Sequence, residues 1–195
     1  MKIFNYHYLL KIQKLSIVLL GSLGFHDTTL MKRLIELFRT KNKHCFIFSL
    51  ESRCDKYINL PENICGYKDL PQTVVLPLVD VVITHGGNNS VCVKSLHFGK
   101  RMIILSLFWD QHDNAQHLHE MGYGIHLETD TFTDQQMYEL IEYLLNNQKL
   151  RQDSISIGEF IRVRNGLKLA AEKIEQCALL TRSHNLNKHQ KQTSS

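Results

Sequence analysis

Glycine, histidine and small polar residues cluster in one short segment whose residue types suit the binding of an anion. The segment reads Thr84-His85-Gly86-Gly87-Asn88-Asn89-Ser90, after an apolar run and before a segment with helical spacing. Its glycines expose backbone N–H groups, Asn89 and Ser90 add donors at a helix N-terminus, and His85 gains positive charge as it donates to a phosphate oxygen. The pattern predicts a diphosphate cradle without the GxxxxGK[ST] spacing of a nucleoside-triphosphate loop. A capped helix with an incidental histidine is the alternative, because Asn and Ser are common caps.

Two further loops carry residues that could complete such a site. Gly21-Ser22-Leu23-Gly24 lies between an apolar run and a helical segment, where glycines let the backbone approach a ligand. An ordinary strand–helix turn is the alternative there. In the third loop, Asp110 and Gln111 offer acceptors and donors for the vicinal hydroxyls of a sugar, and Trp109 adds an amphipathic ring with an N–H group.

These loops must be positioned by a sheet, because strand-like and helix-like segments alternate along the chain. This order predicts an α/β domain with a Rossmann-like, doubly wound, mostly parallel sheet. Ligands of such sheets bind at the carboxyl ends of the strands, where the three loops begin. The predicted strands are Ser16–Leu20, His44–Leu50, Val81–Thr84, Met102–Leu105 and Gly124–Leu127, and the predicted helices are Asp27–Lys41, Val74–Leu78, Asn88–Phe98, Asp113–Met121, Thr133–Asn146 and Ser154–Leu180, with Asp27, Asp113 and Thr133 as caps.

The net charge of +4 comes from the two ends of the sequence. Residues 1–26 and residues 181–195 each carry three basic residues and no acidic one, whereas 17 basic residues face 19 acidic ones between Asp27 and Leu180. A nucleic-acid-binding face would place Lys and Arg on folded structure, so this distribution argues against one. The polar segment from Thr181 has the composition of a disordered tail.

The sequence also lacks the signals of export, membrane insertion and metal binding. Its apolar N-terminal stretch is interrupted by Asn5, His7 and Lys11, and no run of 18 apolar residues occurs. The five cysteines are irregularly spaced and form no CxxC pair, so neither a disulfide framework nor a zinc site is predicted. We therefore expect a soluble, cytoplasmic protein.

Several motifs in order resemble the UDP-glycosyltransferase family, which includes the glucuronosyltransferases. They are Leu70-Pro71-Gln72, His85 to Ser90, Asp110-Gln111-His112-Asp113-Asn114-Ala115 and Gly122-Tyr123-Gly124, with Gly21–Gly24 similar to the start of the family's C-terminal domain. The resemblance runs from about Ser16 to Gly124, and the closing helices extend it to Leu180. It implies the C-terminal, donor-binding half of a GT-B glycosyltransferase at residues 16–180, between an extension at 1–15 and a basic tail at 181–195.

The resemblance also implies a role for each motif in holding a UDP-hexose donor. No metal and no other cofactor is implied, because histidine and backbone dipoles neutralise the diphosphate. The implied contacts are the diphosphate with Ser22, His85, Gly87, Asn89 and Ser90, the uridine side with Gln72, and the sugar hydroxyls with Asp110 and Gln111.

The sequence departs from the family pattern in several ways. Two prolines that are frequent in the family are replaced by Arg101 and Ser106. The family's catalytic histidine lies in an N-terminal domain that binds a small-molecule acceptor, so we expect no catalytic residue in this chain and no transfer by the chain alone. The family's ribose-binding glutamate has no counterpart after Ser90, and Lys94 lies at or beside its position. A non-catalytic UDP-sugar-binding module, or a subunit that completes a cleft with a separate acceptor-domain chain, is therefore the alternative function.

Overall fold

The protein is described by a computed structural model that covers residues 14–21, 27–40, 44–50, 60–87 and 93–192, with side chains to residue 181. Within these residues, six strands form one all-parallel sheet in the order β3-β2-β1-β4-β5-β6. The strands are β1 (Leu15–Leu19), β2 (Cys45–Ser49), β3 (Ile64–Tyr67), β4 (Val81–Thr84), β5 (Arg101–Ile104) and β6 (Gly124–His126).

Among the described residues, helices connect β1 to β2 and each consecutive pair of strands from β3 to β6, and further helices continue the chain beyond β6. A 3-10 turn, Leu76–Leu78, follows the second helix directly. The helices are α1 (Thr28–Arg39), α2 (Gln72–Val75), α3 (Val93–His97), α4 (Asp110–Glu120), α5 (Asp134–Asn146), α6 (Gln148–Val163) and α7 (Gly166–Gln192).

The sheet is buried on both faces, as expected for parallel strands covered by crossover helices. Neighbouring residues of β1 point to opposite faces, and all five of its residues are buried. Val18 packs with Phe38 of α1 and Ile141 of α5 on one face, whereas Ile17 packs with Leu118 of α4 on the other. The short apolar strands therefore derive their stability from two cores, and their carboxyl ends are held in fixed positions.

The direction of the strand order reverses at β1 and β4. The chain builds outward from β1 through β2 to β3, and then continues on the other side of β1 with β4, β5 and β6. Leu19 and Thr84 are register partners, so the two strands end level with each other. Such a reversal opens a crevice at the carboxyl ends of the strands, which is the usual ligand site of this architecture.

The structure confirms most of the predicted elements and the local signals that predicted them. Asp27 caps α1, and its Oδ1 accepts from the N–H groups of Thr29 and Leu30 at 3.0 and 2.9 Å. Thr133 and Gln136 form a reciprocal capping box at the start of α5. The predicted strand Val81–Thr84 is confirmed to the residue.

Several helix boundaries were predicted wrongly, and strand β3 was not predicted. The predicted helix Val74–Leu78 is α2 followed by the 3-10 turn, and α6 begins at Gln148, before the predicted start at Ser154. Helix α4 begins at Asp110, so Asp113 lies inside its first turn and is not its cap. The predicted helix Ser154–Leu180 is two helices, because the chain turns at Arg164 and Asn165, where Asn165 adopts a φ of 41°. Helix α7 then runs through Gln192, beyond the predicted end at Leu180, because no proline or glycine interrupts it after Gly166.

Two compact units divide the described chain, one ending at Glu159 and the other beginning at Phe160. The sheet and the loops at its carboxyl edge belong to the first unit. The second unit contains the end of α6 and all of α7, on which Leu167 and Ile174 are exposed. No helix in the described part of the chain combines the length and the apolar character needed to cross a membrane.

Lys100 directly precedes β5, at the amino ends of the parallel strands. Its pKa is expected to lie far below that of an ordinary lysine. Burial lowers the pKa of its ammonium group from 10.5 to about 8, and the nearby Arg101 and Arg151 act in the same direction while Asp80 opposes them. NMR of the reductively ¹³C-methylated protein should therefore show one lysine signal that titrates near pH 8. That signal should be absent from the Lys100→Gln variant.

The lowered pKa of Lys100 makes the free energy of unfolding depend on pH in a defined direction. Because the folded-state pKa lies below the unfolded one, the unfolded chain binds more protons between about pH 8 and 10.5, and stability from this group rises with pH across that range. The free energy of unfolding of the natural chain should therefore increase relative to Lys100→Gln between pH 8 and pH 10. An unchanged difference between the two proteins would contradict the assignment.

Candidate functional site at the carboxyl edge of the sheet

His85 follows β4 directly and reaches across the strand reversal to β1. Its Nδ1 lies 3.2 Å from the carbonyl oxygen of Leu19, the last residue of β1. A carbonyl oxygen only accepts hydrogen bonds, so Nδ1 carries the proton in this contact. The imidazole is thereby oriented by the ends of two neighbouring strands.

Two glycines make room for this ring. Gly21 has a φ of +68°, and a Cβ atom at this position would lie 2.7 Å from His85 Cε1. A Cβ atom on Gly87 would collide with His85 Nε2. The predicted glycines of the first and second loops thus both lie against the Cε1 and Nε2 atoms of the ring, and a larger residue at either position would displace it.

The third loop is tied to the second through Asn114. Its amide nitrogen donates to the Gly86 carbonyl at 3.1 Å and to Asp110 Oδ2 at 3.2 Å. Asp110, predicted to bind a sugar, is therefore held in the first turn of α4 beside the loop that carries His85. These two hydrogen bonds give Asn114 a positioning role, which was not predicted from the sequence.

Gln111, the second residue predicted to bind a sugar, is buried within its own loop. Its side-chain oxygen accepts from the backbone N–H groups of Leu107 and Phe108 at 3.0 and 3.4 Å. The oxygen therefore holds the loop backbone, and the amide nitrogen is the atom of this side chain that can donate to a ligand.

A serine and two histidines form a cluster beneath the third loop. Ser106 Oγ lies 2.8 Å from His112 Nδ1 and 2.8 Å from His126 Nε2. Thr129 Oγ1 donates to the Ser106 carbonyl at 2.7 Å. This cluster was not predicted from the sequence, although Ser106 replaces a proline that is frequent in the resembled family and thus marks an unusual position.

Gln72, predicted to lie on the uridine side, is paired with Lys94. Lys94 Nζ donates to Gln72 Oε1 at 3.2 Å, which joins α2 to α3. The residue at or beside the position of the missing glutamate therefore contacts the residue assigned to the uridine side. Of the other predicted site residues, Ser22, Asn89 and Ser90 lie outside the described residues, so their roles remain predictions.

No metal centre is found among the residues that the structure describes. No group of three or more histidine, cysteine, aspartate or glutamate side chains lies close enough there to hold an ion. The candidate ligand-binding groups that the described residues bring together at the sheet edge are the His85 imidazole, glycine backbone, the Asp110 carboxylate and side-chain amides.

The fold and the position of this site define half of a GT-B glycosyltransferase. Solved glycosyltransferases share the overall fold of this chain. The glycotransferase of kitacinnamycin has a TM-score of 0.75 and 23% identity, covering 85% of this chain and 43% of its own. CalG4, the calicheamicin glycosyltransferase, has a TM-score of 0.70 and 18% identity, covering 83% and 42%.

The chain belongs to the family described as "Erythromycin biosynthesis protein CIII-like, C-terminal domain", whose model matches residues 42–162. It is similar to the UDP-glucosyltransferase YojK of Bacillus subtilis, with 26% identity over 116 residues, which are 60% of this chain and 28% of the relative. UDP-glucuronosyltransferase 2B16 of Oryctolagus cuniculus is 31% identical over 102 residues, which are 51% and 19% of the two chains. The matches thus span less than a third of these curated relatives. They confirm the UDP-glycosyltransferase resemblance and the expected fold.

Gly87→Ala is expected to displace the His85 imidazole with little loss of stability. The Cβ atom would collide with the far end of a side chain, which can rotate away, and this rotation would break the bond to Leu19. ¹H–¹⁵N correlation spectra of the imidazole should show that the natural chain protonates Nδ1 and that the variant loses this preference.

Gly166→Ala is the matched control, because a Cβ atom at Gly166 would meet nothing within 4 Å. This variant should leave the His85 signals unchanged. Identical imidazole spectra for Gly87→Ala and the natural chain would show that the ring does not depend on this glycine.

Proposed function

We propose that the chain binds the UDP-hexose donor of a glycosyltransferase that acts on a small-molecule hydroxyl group. The observation that carries the proposal is the His85 ring, held between Gly21 and Gly87 at the strand reversal and bonded to the Leu19 carbonyl. Ligands of this architecture bind at that point. The family membership favours a nucleotide-sugar as the ligand.

The diphosphate would be held by a charged imidazole. Because Nδ1 is committed to a carbonyl oxygen, His85 can donate to a phosphate only through Nε2, and both nitrogens must then be protonated. The bound pair is an imidazolium next to a diphosphate, which is a charge-assisted hydrogen bond. We propose that the backbone of Gly87 and the predicted donors Ser22, Asn89 and Ser90 complete the cradle.

The hexose would lie on the β5 side of the site. Asp110 is held there by Asn114, and its carboxylate can accept from two sugar hydroxyls. The amide nitrogen of Gln111 is the donor that this side chain can add. Gln72 would lie on the uridine side, with Lys94 bonded to it.

The same contacts would assist glycosyl transfer. Departure of UDP leaves negative charge on the diphosphate, so donors placed around it stabilise the transition state as well as the bound substrate. Transfer also needs a base within hydrogen-bond reach of the acceptor hydroxyl. We assign no residue of this chain to that role.

His85→Ala is expected to weaken UDP binding by roughly ten- to a hundredfold, the usual effect of losing a hydrogen bond to a charged group. Isothermal titration calorimetry of the full chain with UDP measures this change. His117→Ala, which removes an exposed histidine of α4, is the control and should bind as the natural chain does. The absence of heat with UDP and with UDP-glucose at millimolar concentration would refute the proposed function.

The contact between Lys94 and Gln72 supports a second candidate, a UDP-sugar-binding module without transfer activity. A lysine at or beside the position of a ribose-binding glutamate removes an acceptor for the ribose hydroxyls and adds a cation. Both candidates bind UDP. They differ in glycoside formation from a phenolic acceptor, measured for the chain alone and for the chain coexpressed with a separate acceptor-domain protein.

A further inference from the structure

Trp109 is the one tryptophan in the sequence, and it lies immediately before α4 at the carboxyl edge of the sheet. Its side chain is highly exposed, with 78% of the residue's surface accessible. Its backbone has a φ of 54° and a ψ of −133°. Both features are unusual for a large residue with a Cβ atom.

Each feature lowers the stability of the folded chain. An exposed indole leaves a large apolar surface in water, and a positive φ at this ψ is a region that only glycine enters without strain. The ring meets the Phe108 ring edge-on at 5.3 Å between centroids, and Trp109 provides no side-chain cap to the helix that follows it. A glycine would satisfy the turn better, so the fold alone does not account for the tryptophan.

The surroundings of Trp109 have the composition of a carbohydrate site. Its neighbour Asp110 is held by Asn114, which also binds the Gly86 carbonyl in the loop of His85. An aromatic ring and a carboxylate therefore stand side by side at the edge that carries the candidate diphosphate site. The C–H bonds of a pyranose face carry partial positive charge and pack against the negative face of an indole, while the hydroxyls at its rim bind carboxylates and amides.

We propose that Trp109 is a stacking platform for the hexose of the nucleotide-sugar donor. The inference rests on the proposed donor binding and adds a sugar-contacting residue that distinguishes a nucleotide-sugar from the free nucleotide. In this arrangement Asp110 orients the hydroxyls and the indole covers one face of the ring. The strained backbone holds the indole in the exposed position that stacking requires.

Tryptophan fluorescence tests the proposal directly, because the signal arises from this residue alone. Titration of the full chain with UDP-glucose should shift or quench the emission, and titration with UDP should leave it nearly unchanged at equal occupancy, which calorimetry establishes. The double variant Trp109→Phe/Tyr143→Trp moves the fluorophore to α5. Its emission should not respond to UDP-glucose.

Two substitutions separate sugar binding from a structural role. Trp109→Gly should leave the melting temperature unchanged or higher, because it relieves the positive φ, and should leave the affinity for UDP unchanged. It should weaken UDP-glucose binding by roughly three- to tenfold, the usual range for an aromatic contact. Trp109→Phe retains an aromatic face and should preserve most of the affinity for UDP-glucose.

The outcomes distinguish this inference from the proposed function. If neither UDP nor UDP-glucose binds, donor binding itself is refuted and the inference falls with it. If both bind and change the emission equally, Trp109 senses the nucleotide, and the stacking proposal is overturned. It is also overturned if Trp109→Gly binds UDP-glucose as tightly as the natural chain, in which case the exposed indole serves an acceptor or a protein partner.

Discussion

One hydrogen bond, from the His85 imidazole to the Leu19 carbonyl, spans the point at which the strand order reverses. The candidate site is arranged around this bond, because it turns a flexible side chain into a fixed donor. A single hydrogen bond contributes only about 0.5–1.5 kcal/mol. It orients the ring reliably because both partners are attached to strands whose residues are fully buried and whose ends are level. The geometry of the site therefore depends on the two cores that hold the sheet.

The backbone around the ring meets two requirements that ordinary residues cannot meet. Gly21 adopts a positive φ beside the imidazole, and the lack of a Cβ atom at Gly87 leaves room for the Nε2 side of the same ring. Asn114 then connects the loop after β4 to the first turn of α4. Through these contacts, segments that are far apart in the sequence form one surface. Strain is tolerated in the same surface at Trp109, which supports a role for that residue in binding.

Local signals were sufficient to predict five of the six described strands and most helices from the sequence, whereas β3 was not predicted. Asp27 and Thr133 act within three residues of themselves, and a buried run such as Val81–Thr84 has no other stable location. The start of α4 was missed because nothing in a tryptophan indicates a positive φ. The turn at Asn165 is indicated by the dipeptide Asn165-Gly166, which is typical of turns. It was missed because residues on both sides of it have helical spacing, which predicts one continuous helix. Site contacts such as Ser106 with His126 join residues that meet only after the sheet has ordered β5 beside β6, so the sequence does not reveal them.

The distribution of charge across the site would orient the nucleotide-sugar donor in the proposed complex. Asp110 and Asp113 lie in the first turn of α4, so this helix N-terminus, which would otherwise attract an anion, already carries two carboxylates. A diphosphate placed there would be repelled, whereas beside His85 it would meet an imidazolium. The neutral hexose would have the opposite preference, because its hydroxyls donate to carboxylates. In the proposed complex, a slightly acidic domain would therefore bind a doubly charged donor through local placement of charge, and the same placement would determine which end of the donor lies near β4 and which lies near β5.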